Sequence, residues 1–405
     1  MGNFLATRAG RAAILASGLV LAAAACSGSK SNDDADRSAT TTTTKAAGPV
    51  RADDSLKLNQ IQVIGTHNSF HVAAEPDEYA LLEALNPEQA AQRTYTHLPL
   101  PAQLETEKIR QIELDVFVDT KGGLYADPAL RRQAGLPPLV DEAPDMAKPG
   151  IKVLHEQDVD YHSVCPTLRQ CLTEVKTWSD ANRGHVPIAI NIQFKDGPLI
   201  FPVDGQAVPE KWVTGNMDRL DAEILQVFPK DQIITPDAVR GSHATLEDAV
   251  KANDWPTLGD SRGKVMFLMI NAEPYRSLYL EGHPGLAGRI LFTNAKTGQP
   301  DASVMSIDDP VADGEAIDML VKLGYMVRTR ADEPDKQART GDTTMRDAAL
   351  ATGAQWISTD YPAPYGAARQ YGNDYQVQLP GFVPARCNPV TGPKTCSDDR
   401  VEPAR

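Results

Sequence analysis

Residues Gln60–Phe70 read QIQVIGTHNSF: a short apolar run, with Ile61, Val63 and Ile64, stops abruptly at Thr66, His67, Asn68 and Ser69. A run this short and rich in β-branched residues fits a buried strand of a parallel sheet better than a helix. Loops gather reactive groups at the carboxyl ends of such strands, so His67 and Asn68 are expected to face a crevice. Taken alone, the pair also fits a satisfied turn. The reading depends on whether other strands end the same way.

The next apolar run, Ile112 to Val118 in QIELDVFVD, alternates Glu113 and Asp115 with Ile112, Leu114 and Val116, which puts both carboxylates on one face of a strand. Two acids on an inward face are costly unless something positive sits between them. A divalent cation would serve, and so would an Arg or Lys; a solvated edge strand is the bland alternative. A third run, Ile151–Leu154, ends in His155 and Glu156 and is read as another strand finishing in histidine. PIAINIQFKD, Pro187–Asp196, sets Ile188, Ile190, Ile192 and Phe194 on one face and Asn191, Gln193 and Lys195 on the other. Further strands are expected at Gln232–Thr235, Val265–Ile270, Ile290–Thr293, Val304–Ile307, Tyr325–Thr329 before Arg330, and Gln355–Thr359 before Asp360. Helical spacing covers Pro87–Arg93, Pro101–Ile109, Thr167–Ala181, Pro209–Phe228, Ala312–Leu323 and Asp342–Ala351. His185, in a connecting loop, is assigned a structural or exposed role. The alternation predicts an α/β fold, a single-domain (β/α)8 TIM barrel over residues 55–362, irregular between Thr235 and Val304, with a C-terminal extension, 363–405, across its surface.

With 405 residues, 41% of them hydrophobic, the chain can bury a substantial core. A net charge of −14 without a basic cluster argues against a nucleic-acid partner. Arg8 and Arg11 precede an apolar run from Ala12 to Ala25 that is too short to span a bilayer, which reads as a signal peptide over residues 1–25. The segment resembles a bacterial lipoprotein signal, with Cys26 as the lipidation candidate and Ala23 where that pattern more often has a larger aliphatic residue. The expectation is an exported chain, a cell-surface lipoprotein or a secreted protein, acting as a monomer. Residues 26–54 are polar and read as a disordered tether. Four cysteines remain, Cys165, Cys171, Cys387 and Cys396, and they allow three pairings. The two close pairs are the simplest, and no CxxC spacing suggests zinc.

In such a barrel His67, Asn68, Glu113, Asp115, His155 and Gln193 come from the first four strands and converge at one mouth. Two histidines suit a general base and a general acid on opposite sides of a phosphate, and oxygen ligands from Asn, Asp and Glu suit Ca²⁺ or, less well, Mg²⁺. The pieces GTHNSFH, IELDVFVD, KVLHEQDVDYHSVCPTLRQCL, GHVPIAINIQFKD and GAQWISTDYP resemble the phosphatidylinositol-specific phospholipase C superfamily, in particular its calcium-dependent bacterial branch. The resemblance implies attack of the inositol 2-hydroxyl on its own phosphate, releasing diacylglycerol and a cyclic inositol phosphate. It implies His67 and His155 as the catalytic pair, His67 helping to stabilise the pentacovalent phosphorus and to protonate the leaving oxygen. It also implies one Ca²⁺ held by Asn68, Glu113 and Asp115, with Gln193 where the family has a further acidic ligand. Arg330 is a candidate for binding the anionic headgroup, or a partner of Glu333, Asp335 or Asp360. The expected substrate is a phospholipid or inositol phosphate, met at a membrane surface through the lipid anchor. A glycerophosphodiester phosphodiesterase, whose barrel IELDVFVDTKGG also resembles, is one alternative. A non-catalytic headgroup-binding lipoprotein, favoured by Gln193, is the other.

Overall fold

The apolar runs form strands where the alternation places them: β1 (Ile61–Thr66), β2 (Gln111–Phe117), β3 (Lys152–Val153), β4 (Ile188–Phe194), β5 (Ile233–Ile234), β6 (Val265–Met269), β7 (Leu291–Phe292), β8 (Val304–Ser306), β9 (Met326–Arg330), β10 (Trp356–Thr359) and β11 (Arg386–Cys387). The structure is a computed structural model that describes residues 51–199, 203–333 and 336–403. The residues read as a signal peptide, Cys26 and almost all of those read as a tether lie outside the described residues.

Parallel pairing runs β1–β2–β4–β6 on one side and β1–β10–β9–β8 on the other. β7 continues from the upper part of β6, and a parallel bridge from Asn294 to Val304 joins it to β8 and closes the ring. Asn294 also clamps this narrow seam with its side chain, donating 2.7 Å to Ile270 O and accepting at 3.2 Å from Ser306 N. β5 fills the lower edge of β6. The result is the irregular (β/α)8 barrel expected, with its weakest staves between Thr235 and Val304.

One expectation is corrected. The run that ends in His155 is not a barrel stave: β3 pairs antiparallel with the upper end of β2, Val116 opposite Val153 and Phe117 opposite Lys152. β1 and β2 share a single rung, Gly65 opposite Gln111, so the two strands splay toward the mouth and β3 folds back along the exposed edge of β2. At position 65 any Cβ would stand 1.8 Å from Gln111 Oε1, so only glycine lets these strands approach. A two-residue run carries no signal of direction, which is why the sequence does not distinguish a stave from a return strand.

Alternation sorts the two faces. Ile112, Leu114, Val116, Ile188, Ile190 and Ile192 are fully buried under helices, among them Leu168–Ala181, which presents Leu168, Cys171, Leu172, Val175 and Trp178. Burial of each such side chain stabilises the fold by roughly 1.5–3 kcal/mol. Inside the ring, the bottom is apolar, with Val63, Ala189, Met266, Met326 and Trp356 around a small cavity. Two residues higher the lining turns polar. Arg328 of β9 crosses the barrel to Glu113 of β2, Nη2 to Oε2 at 2.8 Å, while its Nε donates 3.0 Å to Ser358 Oγ, which donates in turn to Gln111 Oε1 at 2.6 Å.

Both close cysteine pairs are bonded, Cys165 to Cys171 and Cys387 to Cys396. The extension after residue 362 does lie on the barrel: β11 pairs antiparallel with the start of β1, and Glu402 meets Arg110 Nε at 2.9 Å. Residues 53–54, counted with the tether in the sequence reading, are also held there, Asp53 N donating 2.8 Å to Arg400 O and Asp54 accepting 2.7 Å from Arg262 Nε. His185 is structural, bonded to Ser179 Oγ at 2.7 Å and Val186 O at 2.6 Å, and burial pushes its pKa down to about 4.

Two predictions follow from this packing. Arg328→Ala leaves Glu113, 2% exposed, without its partner and is expected to cost about 3–5 kcal/mol in urea denaturation, most of it restored by pairing Arg328→Met with Glu113→Leu. A loss below about 1 kcal/mol would show that this ion pair is not what makes Glu113 tolerable. His185 stays neutral in the fold where the unfolded chain becomes protonated, so its contribution is lost as pH falls from 6.5 toward 4. The destabilisation caused by His185→Gln should therefore shrink by about 1.4 kcal/mol per pH unit across that window, measured by denaturation at pH 7 and pH 5.

Candidate active site

His67 follows β1 directly, and its backbone N–H continues the β1–β10 ladder by donating 3.0 Å to Thr359 O. The next residues turn sharply. Asn68 has φ 42°, a left-handed conformation that asparagine tolerates, and Ser69 docks on β2, its N–H donating 3.0 Å to Glu113 O and its Oγ accepting 2.8 Å from Glu113 N. This turn replaces the missing β1–β2 rungs and fixes His67 and Asn68 above Glu113. His67 Nδ1 lies 2.9 Å from Asp360 Oδ1 at the end of β10, and its Nε2 lies 3.6 Å from Glu113 Oε1 and 3.3 Å from Arg330 Nη1. Burial and the neighbouring Arg330 guanidinium hold the His67 imidazole well below the ordinary histidine pKa, so it is neutral at pH 7. Beneath it, His97 donates from Nε2 to His67 O at 2.8 Å.

His155 reaches the same mouth from the β3 return strand. Its loop closes as a hairpin, Glu156 N to Asp160 O at 2.9 Å and Asp160 N to Glu156 O at 3.1 Å, with Asp158 at φ 67° in the turn. The hairpin brings Asp160 Oδ2 to 2.7 Å from His155 Nδ1. Asp160 is itself held by His71 Nε2 at 2.9 Å and Arg93 Nε at 3.2 Å. Burial alone would raise the Asp160 pKa, but His71 and His155 outweigh it and hold the carboxyl far below its usual range. Each mouth histidine therefore has a carboxylate on Nδ1, an arrangement that fixes tautomer and ring orientation. The two rings are close enough for His155 to contribute to the lowered pKa of His67.

The strand pairing explains how the remaining residues assemble. In the β2–β4 register Glu113 stands opposite Asn191 and Asp115 opposite Gln193, so all four share the inner face. Lys195, two residues on, places Nζ 3.0 Å from Asp115 Oδ2. Burial pushes the Asp115 carboxyl up and Lys195 opposes it; burial likewise works against the Lys195 charge, which Asp115, Glu156 and Glu113 more than restore. Arg330 is buried with Nη2 3.2 Å from Asp360 Oδ2 and Nη1 3.9 Å from Glu333 Oε1, while its buried Nε has no hydrogen-bond partner.

The donor set can be tested for a hard cation. Asn68 Nδ2 is tied to Tyr95 OH at 2.9 Å, which leaves its buried Oδ1 without a partner. Both Asp115 oxygens lack a well-directed hydrogen bond, as does the Asn191 amide. Oxygen atoms left this way, next to Glu113 and Gln193, match the ligand preference of Ca²⁺, although no group of three or more His, Cys, Asp or Glu side chains is in metal-holding geometry among the described residues.

The structure thus brings His67, Asn68, Glu113, Asp115, His155, Gln193 and Arg330 to one mouth. Sequence reasoning did not single out Arg328, Asp160, His71 or His97, and gave Lys195 and Asn191 a face but no role. The alternation in MVRTR and NIQFK carried the signal for Arg328, Asn191 and Lys195. Nothing local marks the others.

Residues 56–389 match the family described as phosphoinositide phospholipase C, Ca²⁺-dependent. Among solved structures, the calcium-dependent phosphoinositol-specific phospholipase C of a Pseudomonas species is 17% identical, with a TM-score of 0.48 over 83% of this chain and 96% of that one. The myo-inositol complex of the same enzyme gives a TM-score of 0.47 at 17% identity, over 84% of this chain and 99% of that one. The Ca²⁺-dependent phosphatidylinositol-specific phospholipase C of Streptomyces antibioticus gives 0.46 at 18% identity, over 76% and 95%. No curated protein matches the chain. The family match spans the barrel from before β1 to beyond β11, and on that match the chain belongs to the Ca²⁺-dependent phosphoinositide phospholipase C family and is a phosphodiesterase of that type.

Proposed function

We propose that this phosphodiesterase cleaves a phosphoinositide-type lipid to diacylglycerol and a cyclic inositol phosphate, using His67 and His155 as a proton-transfer pair. The observation that carries the reading is the doubled histidine–carboxylate arrangement, His67 with Asp360 and His155 with Asp160, at one barrel mouth. His67, neutral at pH 7, is suited to take the proton of the inositol 2-hydroxyl as its oxygen bonds to phosphorus. His155 gives a proton to the glycerol oxygen as the phosphorus–oxygen bond breaks. This orders the pair the other way round from the acid role that the resemblance implies for His67, because burial beside Arg330 keeps its imidazole unprotonated, the form that can accept a proton. Arg330, whose Nη1 lies 3.3 Å from His67 Nε2 and whose buried Nε has no hydrogen-bond partner, would meet the charge that builds on the phosphate oxygens.

One hard cation, Ca²⁺ in keeping with the family, would be held by Asn68, Glu113, Asp115 and Gln193. When bound it would lower the pKa of the attacking hydroxyl and offset charge on the phosphate. The neutral amide of Gln193 contributes oxygen without charge.

We place the protein outside the cytoplasm, as a lipoprotein anchored at Cys26 or a secreted enzyme, acting as a monomer at a lipid surface. The leader-like run after Arg8 and Arg11 supports export, and the two bonded cysteine pairs fit an oxidising compartment.

His67→Ala and His155→Ala should each lower kcat on phosphatidylinositol by about 10²–10⁴-fold with the melting temperature kept within a few degrees. Full activity in either variant overturns the mechanism. Turnover of phosphatidylinositol and glycerophosphoinositol, measured side by side with Ca²⁺ or chelator, should favour the intact lipid. Preference for the deacylated substrate would indicate the glycerophosphodiester reading, and binding of inositol phosphate without turnover of either would indicate the receptor.

A further inference from the structure

The two-histidine chemistry leaves one charged side chain at the mouth without a role. Lys195 continues the β4 ladder, its backbone N donating 3.0 Å to Val116 O, and so leaves the inner face directly above Gln193. Its Nζ stands 3.0 Å from Asp115 Oδ2, where Asp115 is fully buried and Lys195 is 26% exposed. The other carboxylate of β2, Glu113, is already matched by Arg328 at 2.8 Å. Each carboxylate of β2 therefore has a positive partner before any ion binds, Arg328 being shared with Asp308. The remaining oxygen donors, Asn68, Asn191 and Gln193, are amides and add no charge.

We propose that the Lys195 ammonium is the resident cation of this site and that a divalent ion enters only by displacing it from Asp115. Arg328 is buried and tied to Ser358 as well as Glu113, so it is fixed in place. Lys195 is a compact charge on a flexible stem with an open side to solvent, so it can withdraw. Oxygen-ligand calcium sites are tuned by ligand charge and rigidity, with the weakest near about 10⁻⁴–10⁻³ M. A tethered competitor on the one carboxylate not committed elsewhere puts this site at that end. While it remains on Asp115, Lys195 has further N–H donors to offer a phosphate oxygen. That last consequence rests on the phosphodiesterase reading; the competition with metal does not, and it is measured without turnover.

Calcium titration of the full chain by calorimetry, together with melting temperatures in Ca²⁺ and in chelator, tests the inference. The wild-type protein should show no saturable binding below about 10⁻⁴ M, and Lys195→Met should bind at least about tenfold more tightly, with a larger Ca²⁺-dependent rise in melting temperature. A Lys195→Met protein that folds only with Ca²⁺ would support the inference equally, since the ion then replaces the lost charge. Micromolar binding by the wild type, or equal affinity in the two proteins, would overturn it. If the variant does not fold in either condition, the wild-type titration decides alone. Turnover that fails while the ion competition behaves as described would count against the phosphodiesterase reading only.

Discussion

The pair of carboxylates on the inner face of β2 is the constraint around which this barrel is arranged. Glu113 and Asp115 cannot be buried as charges without partners, because desolvation costs several kcal/mol per ion even after relaxation. Each is met from a different direction, Glu113 by Arg328 from β9 across the ring and Asp115 by Lys195 from the neighbouring β4. That requirement makes the upper barrel polar, in contrast to the apolar layer at its floor. It also makes ring closure and site assembly one event, since Arg328 can reach Glu113 only when β9 and β2 face each other.

A second layer of the design places the histidines. The splay of β1 and β2 beyond their single rung, where Gly65 allows close approach to Gln111, opens an edge that the THNS turn and the β3 return strand fill from opposite sides. His67 arrives from the turn and His155 from the return strand, so the two rings approach the same space from different elements. Their carboxylates come from still other places, Asp360 from the last stave and Asp160 from a hairpin tip. Tyr375 in the C-terminal extension secures this arrangement indirectly, donating 3.1 Å to Asp332 Oδ2, while Asp332 Oδ1 accepts 2.9 Å from Asp360 N. The extension is thus linked to the position of the carboxylate beside His67 as well as to the barrel floor.

Much of the fold was legible because it depends on local periodicity. Helix Leu168–Ala181 and strands such as Trp356–Thr359 fall within a residue or two of where the spacing put them. The helix Pro76–Leu85 was missed for a physical reason: it has no strong apolar stripe, and it buries Glu78, which accepts a hydrogen bond at 2.6 Å from His162 Nε2 and one from Tyr161 OH. The direction of β3 was missed because two residues carry no directional signal.

The sequence by itself determined which residues share a face and which stand at a strand's end, since side-chain alternation is imposed by the covalent geometry of an extended backbone. It therefore put Glu113 with Asp115, Asn191 with Gln193 and Lys195, and His67 at a mouth. Only the tertiary structure decided which charge neutralises which. Arg328 is 215 positions from Glu113, and Asp360 is 293 from His67. Such pairings are selected by how the ring closes and how far each group is removed from water, quantities that belong to the packed barrel and to no single stretch of its chain.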